Sequence, residues 1–221
     1  MLKKVLAMLL CGMLMLTMLS ACALSGKMFD DPLFEQLIRD ELDMPTGKIT
    51  ADDMAAITQL VYAGDDLPDN QKISSIKGIE LCVNLTHLTL SEHNISSLKP
   101  LTNLTELYWL DIYGNNIKDI SPLRDLTALE LIDLDDNRIT DISALSGLTA
   151  MTNLYLSNNQ IRDLSPLENL HDLRSLWLSN NDISDIGTLR GLENLTTVYL
   201  RNSNVRDWSP VDHVEEVVGR P

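Results

Sequence analysis

The chain is 221 residues long and carries 32 Asp and Glu against 17 Lys and Arg, a formal net charge of −15. That balance excludes a protein that tracks nucleic-acid phosphates, which needs clustered Lys and Arg. Hydrophobic residues make up 44% of the chain and aromatics only 5%, so its core is aliphatic, and its length suits one or two domains.

The first element is an address. Lys3 and Lys4 precede an apolar run from Val5 to Leu19 that ends in Leu19-Ser20-Ala21-Cys22. A basic start, an apolar stretch and small residues before a cut site describe a secretory signal over residues 1–21. The Leu-Ser-Ala-Cys end resembles the lipobox of bacterial lipoproteins, in which the cysteine is acylated and begins the mature chain. The resemblance implies lipidation at Cys22, a tether over residues 22–30, and an extracytoplasmic body held at a membrane or outer surface. The other reading of the same run is an uncleaved membrane helix. Cys82 is then the one remaining thiol, so an exported domain has no disulfide framework and relies on its core.

Residues 31–78 read as a helical N-terminal cap followed by a degenerate coil. Asp31-Pro32 supplies a capping side chain and a first-turn proline before Leu33, Phe34, Leu37, Ile38 and Leu42, a helical spacing. Thr50-Ala51-Asp52-Asp53 resembles a capping box ahead of Met54, Ile57 and Leu60. Ile73 and Ile76 keep the spacing of the coils that follow, with Gly64 to Asn70 as a looped insertion.

From residue 79 to 210 the chain is one 22-residue unit written six times, with units starting at Ile79, Leu101, Leu123, Leu145, Leu167 and Leu189. Apolar residues recur at the first, fourth, seventh, tenth, twelfth, seventeenth and twentieth places. The tenth and twelfth places alternate with outward residues, which is a short strand with one face inward. Ser-Pro pairs on the return path favour turns or 3₁₀ segments. Asn115, Asn137, Asn159 and Asn181 hold the fifteenth place, where an amide can satisfy backbone groups of adjoining coils. His93 and Ser203 replace it in the end units. Asn158 lies outside this ladder, so its replacement is expected to be near neutral. The register resembles the leucine-rich repeat, and the 22-residue length with Asp-Ile-Ser-Pro endings resembles the bacterial internalin-like class. The resemblance implies an α/β fold: a right-handed leucine-rich-repeat solenoid with parallel concave strands, a 3₁₀/turn convex side and a helical cap. Residues 211–221 form the C-terminal cap, where Val211, Val214 and Val217 suggest a short helix.

Nothing in the sequence points to catalysis. The His residues at 87, 93, 171 and 213 lack metal-ligand spacing, no serine or cysteine sits in a nucleophile motif, and the glycines form no phosphate loop. Neither an enzyme activity nor a cofactor nor a metal site is expected. Asp119, Asp141, Asp163, Asp185 and Asp207 recur at the nineteenth place as turn residues.

The outward residues of the strands are unusual. At the ninth, eleventh and thirteenth places they include Trp109, Asp111, Tyr113, Asp133, Asp135, Tyr155, Trp177, Tyr199 and Arg201, the expected ligand-binding set. Tyr and Trp left on a concave, water-facing surface are the residue types of binding hot spots. The internalin-like resemblance implies a protein ligand, bound by a monomer. Glycan binding by the aromatic row and a passive envelope role are the alternatives, and cross-strand stacking that stiffens the ribbon is the plain structural reading of the row.

Overall fold

The structure, a computed structural model, describes residues 27–221. The expected signal 1–21, the acylation site Cys22 and the first part of the tether lie outside the described residues. Among the described residues no helix is long and apolar enough to cross a membrane.

Each coil contributes one three-residue strand whose middle side chain turns inward. The strands are β1 (Gln59–Val61), β2 (His87–Thr89), β3 (Trp109–Asp111), β4 (Leu131–Asp133), β5 (Asn153–Tyr155), β6 (Ser175–Trp177), β7 (Thr197–Tyr199) and β8 (Glu216–Val218). They pair in sequence order as one parallel eight-stranded sheet. Their central residues through Val198 (Leu60, Leu88, Leu110, Ile132, Leu154 and Leu176 before it) are fully buried. Across the core, 3₁₀ turns such as Ser121–Leu123 and Ser165–Leu167 close each coil. Proline fits their first turn because the missing N–H has no partner there to lose. The nineteenth-place aspartates act as turn residues: Asp119 accepts from Ser121 N at 2.8 Å, and Asp163 repeats this with Ser165 N at 2.8 Å.

The fifteenth-place asparagines bind the coils together. Asn159 Oδ1 accepts from Ile139 N at 2.9 Å, while its Nδ2 donates to Leu134 O, Leu156 O and Ser157 O. Asn115, Asn137 and Asn181 repeat the pattern. His93 reproduces it with a ring: Ile73 N donates to Nδ1 at 3.4 Å, and Nε2 lies 3.2 Å from Tyr62 O. Burial holds the His93 pKa below its ordinary value, which keeps the neutral ring that an acceptor Nδ1 requires.

At the N-terminal end helix α1 (Pro32–Glu41) and helix α2 (Ala51–Ala55) cover the first coil. Asp31 caps α1 through Leu33 N and Phe34 N and also accepts from Ser74 N at 2.7 Å, tying helix to coil. Burial pushes the Asp31 pKa up, but the bonds from Ser74 and the helix amides outweigh it and hold the carboxyl below its ordinary range. Thr50 and Asp53 form the reciprocal capping box. Folded structure starts upstream of Asp31, because Phe29 is buried with its ring against Phe34. Its ring also fills the space beside Gly78, whose φ of 106° suits glycine.

The C-terminal segment departs from the expected helix. Val211 ends a 3₁₀ turn over Ser209–Val211, Val214 is buried, and the chain then forms β8 parallel to β7 with Val217 opposite Val198. A spacing of three apolar residues fits a helix turn and the opening of a leucine-rich repeat equally well. The β-branched pair Val217-Val218 favours the extended form, so the end is a shortened coil that continues the sheet.

Asn158 also departs from expectation. It has a φ of 56°, donates to Asp136 Oδ2 at 3.1 Å and accepts from Asn180 Nδ2. Its neighbours in adjoining coils, Asp136, Asn180 and Asn202, share the left-handed conformation. Asn tolerates that region better than most residues, so the position is a structural corner rather than a neutral surface site.

Candidate functional site

Strand register lines the outward side chains into columns. One column runs Thr89, Asp111, Asp133, Tyr155, Trp177, Tyr199 across β2 to β7. The neighbouring column runs His87, Trp109, Leu131, Asn153, Ser175, Thr197. Tyr113, Asp135 and Arg201 follow two residues after their strands, on the same face.

The structure brings Tyr155, Trp177 and Tyr199 together. Their ring centroids are 4.8 Å and 4.9 Å apart, with interplanar angles of 55° and 42°. Trp177 keeps 37% of its surface exposed although a ring flanks it on each side. The two tyrosine hydroxyls are anchored: Asn153 Nδ2 donates to Tyr155 OH at 3.2 Å, and Tyr199 OH donates to Glu216 Oε1 at 3.1 Å. The row is therefore a fixed series of tilted rings, with a tyrosine on each side of Trp177.

Asp111, Asp133 and Asp135 form the ground beside it. All three are half-buried. Asp111 Oδ1 accepts from Tyr113 N at 3.2 Å, Asp133 Oδ1 from Asp135 N at 3.0 Å, and Asp135 Oδ1 from Ser157 N. No Lys or Arg among the described residues lies within ion-pair distance of any of the three. Burial, reinforced by the charge of Asp133, pushes the Asp135 pKa up to about 7. Burial pushes Asp133 up to about 6, with Asp111 and Asp136 adding repulsion. Asp111 is raised too, chiefly by burial.

These carboxylates oppose folding at neutral pH. A raised carboxyl pKa means that the folded state binds the proton more tightly than the unfolded chain, so stability falls as pH rises from about 4 towards about 7. Asp135→Asn is accordingly expected to stabilise the protein above pH 7 by about 1–2 kcal/mol, a figure reduced for solvent screening. The gain should vanish near pH 4, where both forms are neutral. Thermal denaturation of both proteins from pH 4 to 8 checks this; an Asn variant less stable at pH 8 contradicts it.

The other expected site residues lie apart from the stack. Trp109 is 39% exposed and belongs to a different cluster, with its ring centroid 6.3 Å from that of His87. His87 in turn packs edge-on against Tyr108 at 4.3 Å, and its Nε2 is hydrogen-bonded to the Tyr108 hydroxyl. Tyr113 faces Glu92, whose carboxylate pushes the phenol up to about 12. Arg201 is exposed, and its backbone N–H donates to Ser179 Oγ at 3.2 Å. His87 and Tyr108 were not among the expected binding residues. Strand alternation places Tyr108 off the concave face, and only its pairing with His87 brings it there. Cys82 is buried, and burial pushes its thiol up to about 12, as befits a core residue rather than a nucleophile.

Comparison with known proteins agrees with the repeat fold. The family of Leucine Rich repeats (2 copies) matches residues 105–147, 127–169, 149–184 and 171–213. No match is found among the curated proteins. The chain is similar to the crystal structure of an internalin F from Listeria monocytogenes, at 33% identity and a TM-score of 0.80. That match covers 86% of this chain and 56% of the internalin F chain, so this chain spans little more than half of its relative's length. An internalin C2 from the same organism is 31% identical with a TM-score of 0.66, over 86% of this chain and 93% of its own. A leucine-rich-repeat protein of Leptospira interrogans, 24% identical over 66% of this chain and 40% of its own, shares the fold with a TM-score of 0.61. On the repeat register, the eight-stranded parallel sheet and these similarities, the chain belongs to the internalin-like leucine-rich-repeat proteins.

Proposed function

We propose that this protein is a surface-tethered, non-catalytic binding module that grips a protein ligand on its concave face. The observation that carries the reading is the row Tyr155, Trp177 and Tyr199: a fixed aromatic stack kept at the surface of a molecule whose aliphatic core is already complete without it. Solenoids of this type offer extended concave surfaces to partners, and Trp and Tyr are the residues that dominate such interfaces. The unpaired acidic ground next to the row supplies orientation and association rate. The protein acts as a monomer, without cofactor or metal.

Glycan binding is the second reading, and the ring geometry speaks against it. A sugar stacks on an open aromatic face, whereas Trp177 is flanked by a ring on each side. The full chain immobilised on a sensor tests the choice when exposed to a glycan array and to extracted cell-surface proteins. Saturable capture of a protein with no glycan signal is expected; capture of oligosaccharides alone would overturn the reading. No binding in either arm would favour the passive envelope role.

The tether rests on the sequence at Cys22. Cys22→Ala is expected to abolish incorporation of labelled fatty acid and to leave the signal uncleaved, measured by metabolic labelling and mass spectrometry of the N-terminus. An unacylated mature N-terminus elsewhere in the parent protein would contradict lipid anchoring.

A further inference from the structure

Two aromatic patches open onto the concave face, at opposite sides of the acidic ground. The first gathers His87, Tyr108 and Trp109, with Leu131 directly beside Trp109 in the register. Tyr108 and Trp109 are 36% and 39% exposed, the same range as Trp177 in the second patch. Asp111 shares β3 with Trp109, and Asp133 pairs with Tyr155, so the carboxylates bridge one patch to the other without a gap.

We infer that the ligand presents a cationic segment lying across the strands, with an apolar side chain on each aromatic patch and a Lys or Arg between them over Asp111, Asp133 and Asp135. This inference rests on the protein-binding reading above and specifies the partner's chemistry. Charge complementarity selects the occupant. The chain carries a net charge of −15, and none of the three carboxylates meets a Lys or Arg among the described residues. A neutral or acidic segment seated on both patches would strip water from these carboxylates and leave them unpaired, an arrangement that selects against such partners. A cation placed there gains charge-assisted hydrogen bonds and relieves the repulsion among them.

The register also sets a spacing. From Trp109 on β3 to Trp177 on β6 there are three strand steps of about 4.8 Å and an offset of two residues, about 7 Å, along the strand, so the two lie roughly 16 Å apart. An extended peptide covers that span with about five residues. The fitting segment is therefore an aromatic or aliphatic residue, a central Lys or Arg, and a second apolar residue, all within about six positions.

A random 12-residue peptide library displayed on phage and selected on the full chain tests the inference. Recovered peptides are expected to carry Lys or Arg between two apolar residues. They should lose at least tenfold in affinity for Trp177→Ala and for the double variant Asp133→Asn, Asp135→Asn, and the double variant should flatten the salt dependence. The Asn side chains keep the shape and the accepting oxygens, so thermal denaturation of the double variant verifies that its fold is intact. Peptides that depend on Trp177 but are neutral or acidic, or that bind the double variant as tightly as the parent, overturn the cationic inference alone. A selection yielding no peptide sensitive to Trp177→Ala or Trp109→Ala overturns both it and the concave protein-binding reading.

Discussion

Replacing Trp177 by alanine is expected to weaken binding of the captured protein partner by about 2 kcal/mol, roughly 30-fold in Kd. Trp177 is the middle of the row, so its removal takes away the row's largest ring and also frees Tyr155 and Tyr199 from the stack. The loss falls mainly on dissociation, because a truncated anchor leaves the charge that guides encounter unchanged. Losing two ring contacts also costs the fold, about 1 kcal/mol per pair. Glu168→Ala, on the exposed convex side, should bind as the parent does. Surface plasmon resonance on the two variants, with circular dichroism to confirm folding, reads the difference; equal Kd values would remove the row from the site.

The largest effect on stability is expected at Asn159. Its side chain serves one N–H and three carbonyls, in its own coil and the preceding one. Alanine leaves the buried Ile139 N–H without its acceptor, and an unsatisfied buried donor costs about 1–3 kcal/mol. The abandoned carbonyls bring the expected loss to about 2–4 kcal/mol. In a solenoid each coil is held by its neighbours, so a fault in the middle disconnects both halves. Gln160→Ala, one residue on and exposed, should change stability by less than about 0.5 kcal/mol. Asn158→Ala should fall between, near about 1 kcal/mol, because alanine tolerates the left-handed backbone less well than asparagine and loses the side-chain bonds to Asp136 and Asn180. Urea denaturation midpoints rank the three, and an Asn159 shift no larger than that of Gln160 would mean that the ladder does not hold the coils.

The repeat was legible because 22-residue periodicity assigns each apolar residue a place in the coil. Leu154, Leu156 and Ile161 occupy expected inward places and are fully buried. The concave columns followed from the same arithmetic, since a strand's outward residues are fixed once its inward ones are known. What escaped the sequence depends on geometry that periodicity does not encode. The equivalence of His93 to an asparagine rests on the separation of two ring nitrogens. Tyr108 joins the face only through His87. The helix expected from Val211, Val214 and Val217 gave way to β8 because three-residue spacing serves both structures. The upward shift of Asp133 and Asp135 comes from burial by neighbouring coils, which no single strand reveals.

The most direct test of the central claim is position-specific crosslinking. A benzophenone side chain placed at Arg201, exposed beside Tyr199 on the concave side, is compared with one at Glu168 on the convex side. Both proteins are mixed with the captured partner and irradiated. Covalent complex from position 201 and none from position 168 is the predicted result. Complex formed from position 168 alone would place the partner on the convex side and contradict the concave site.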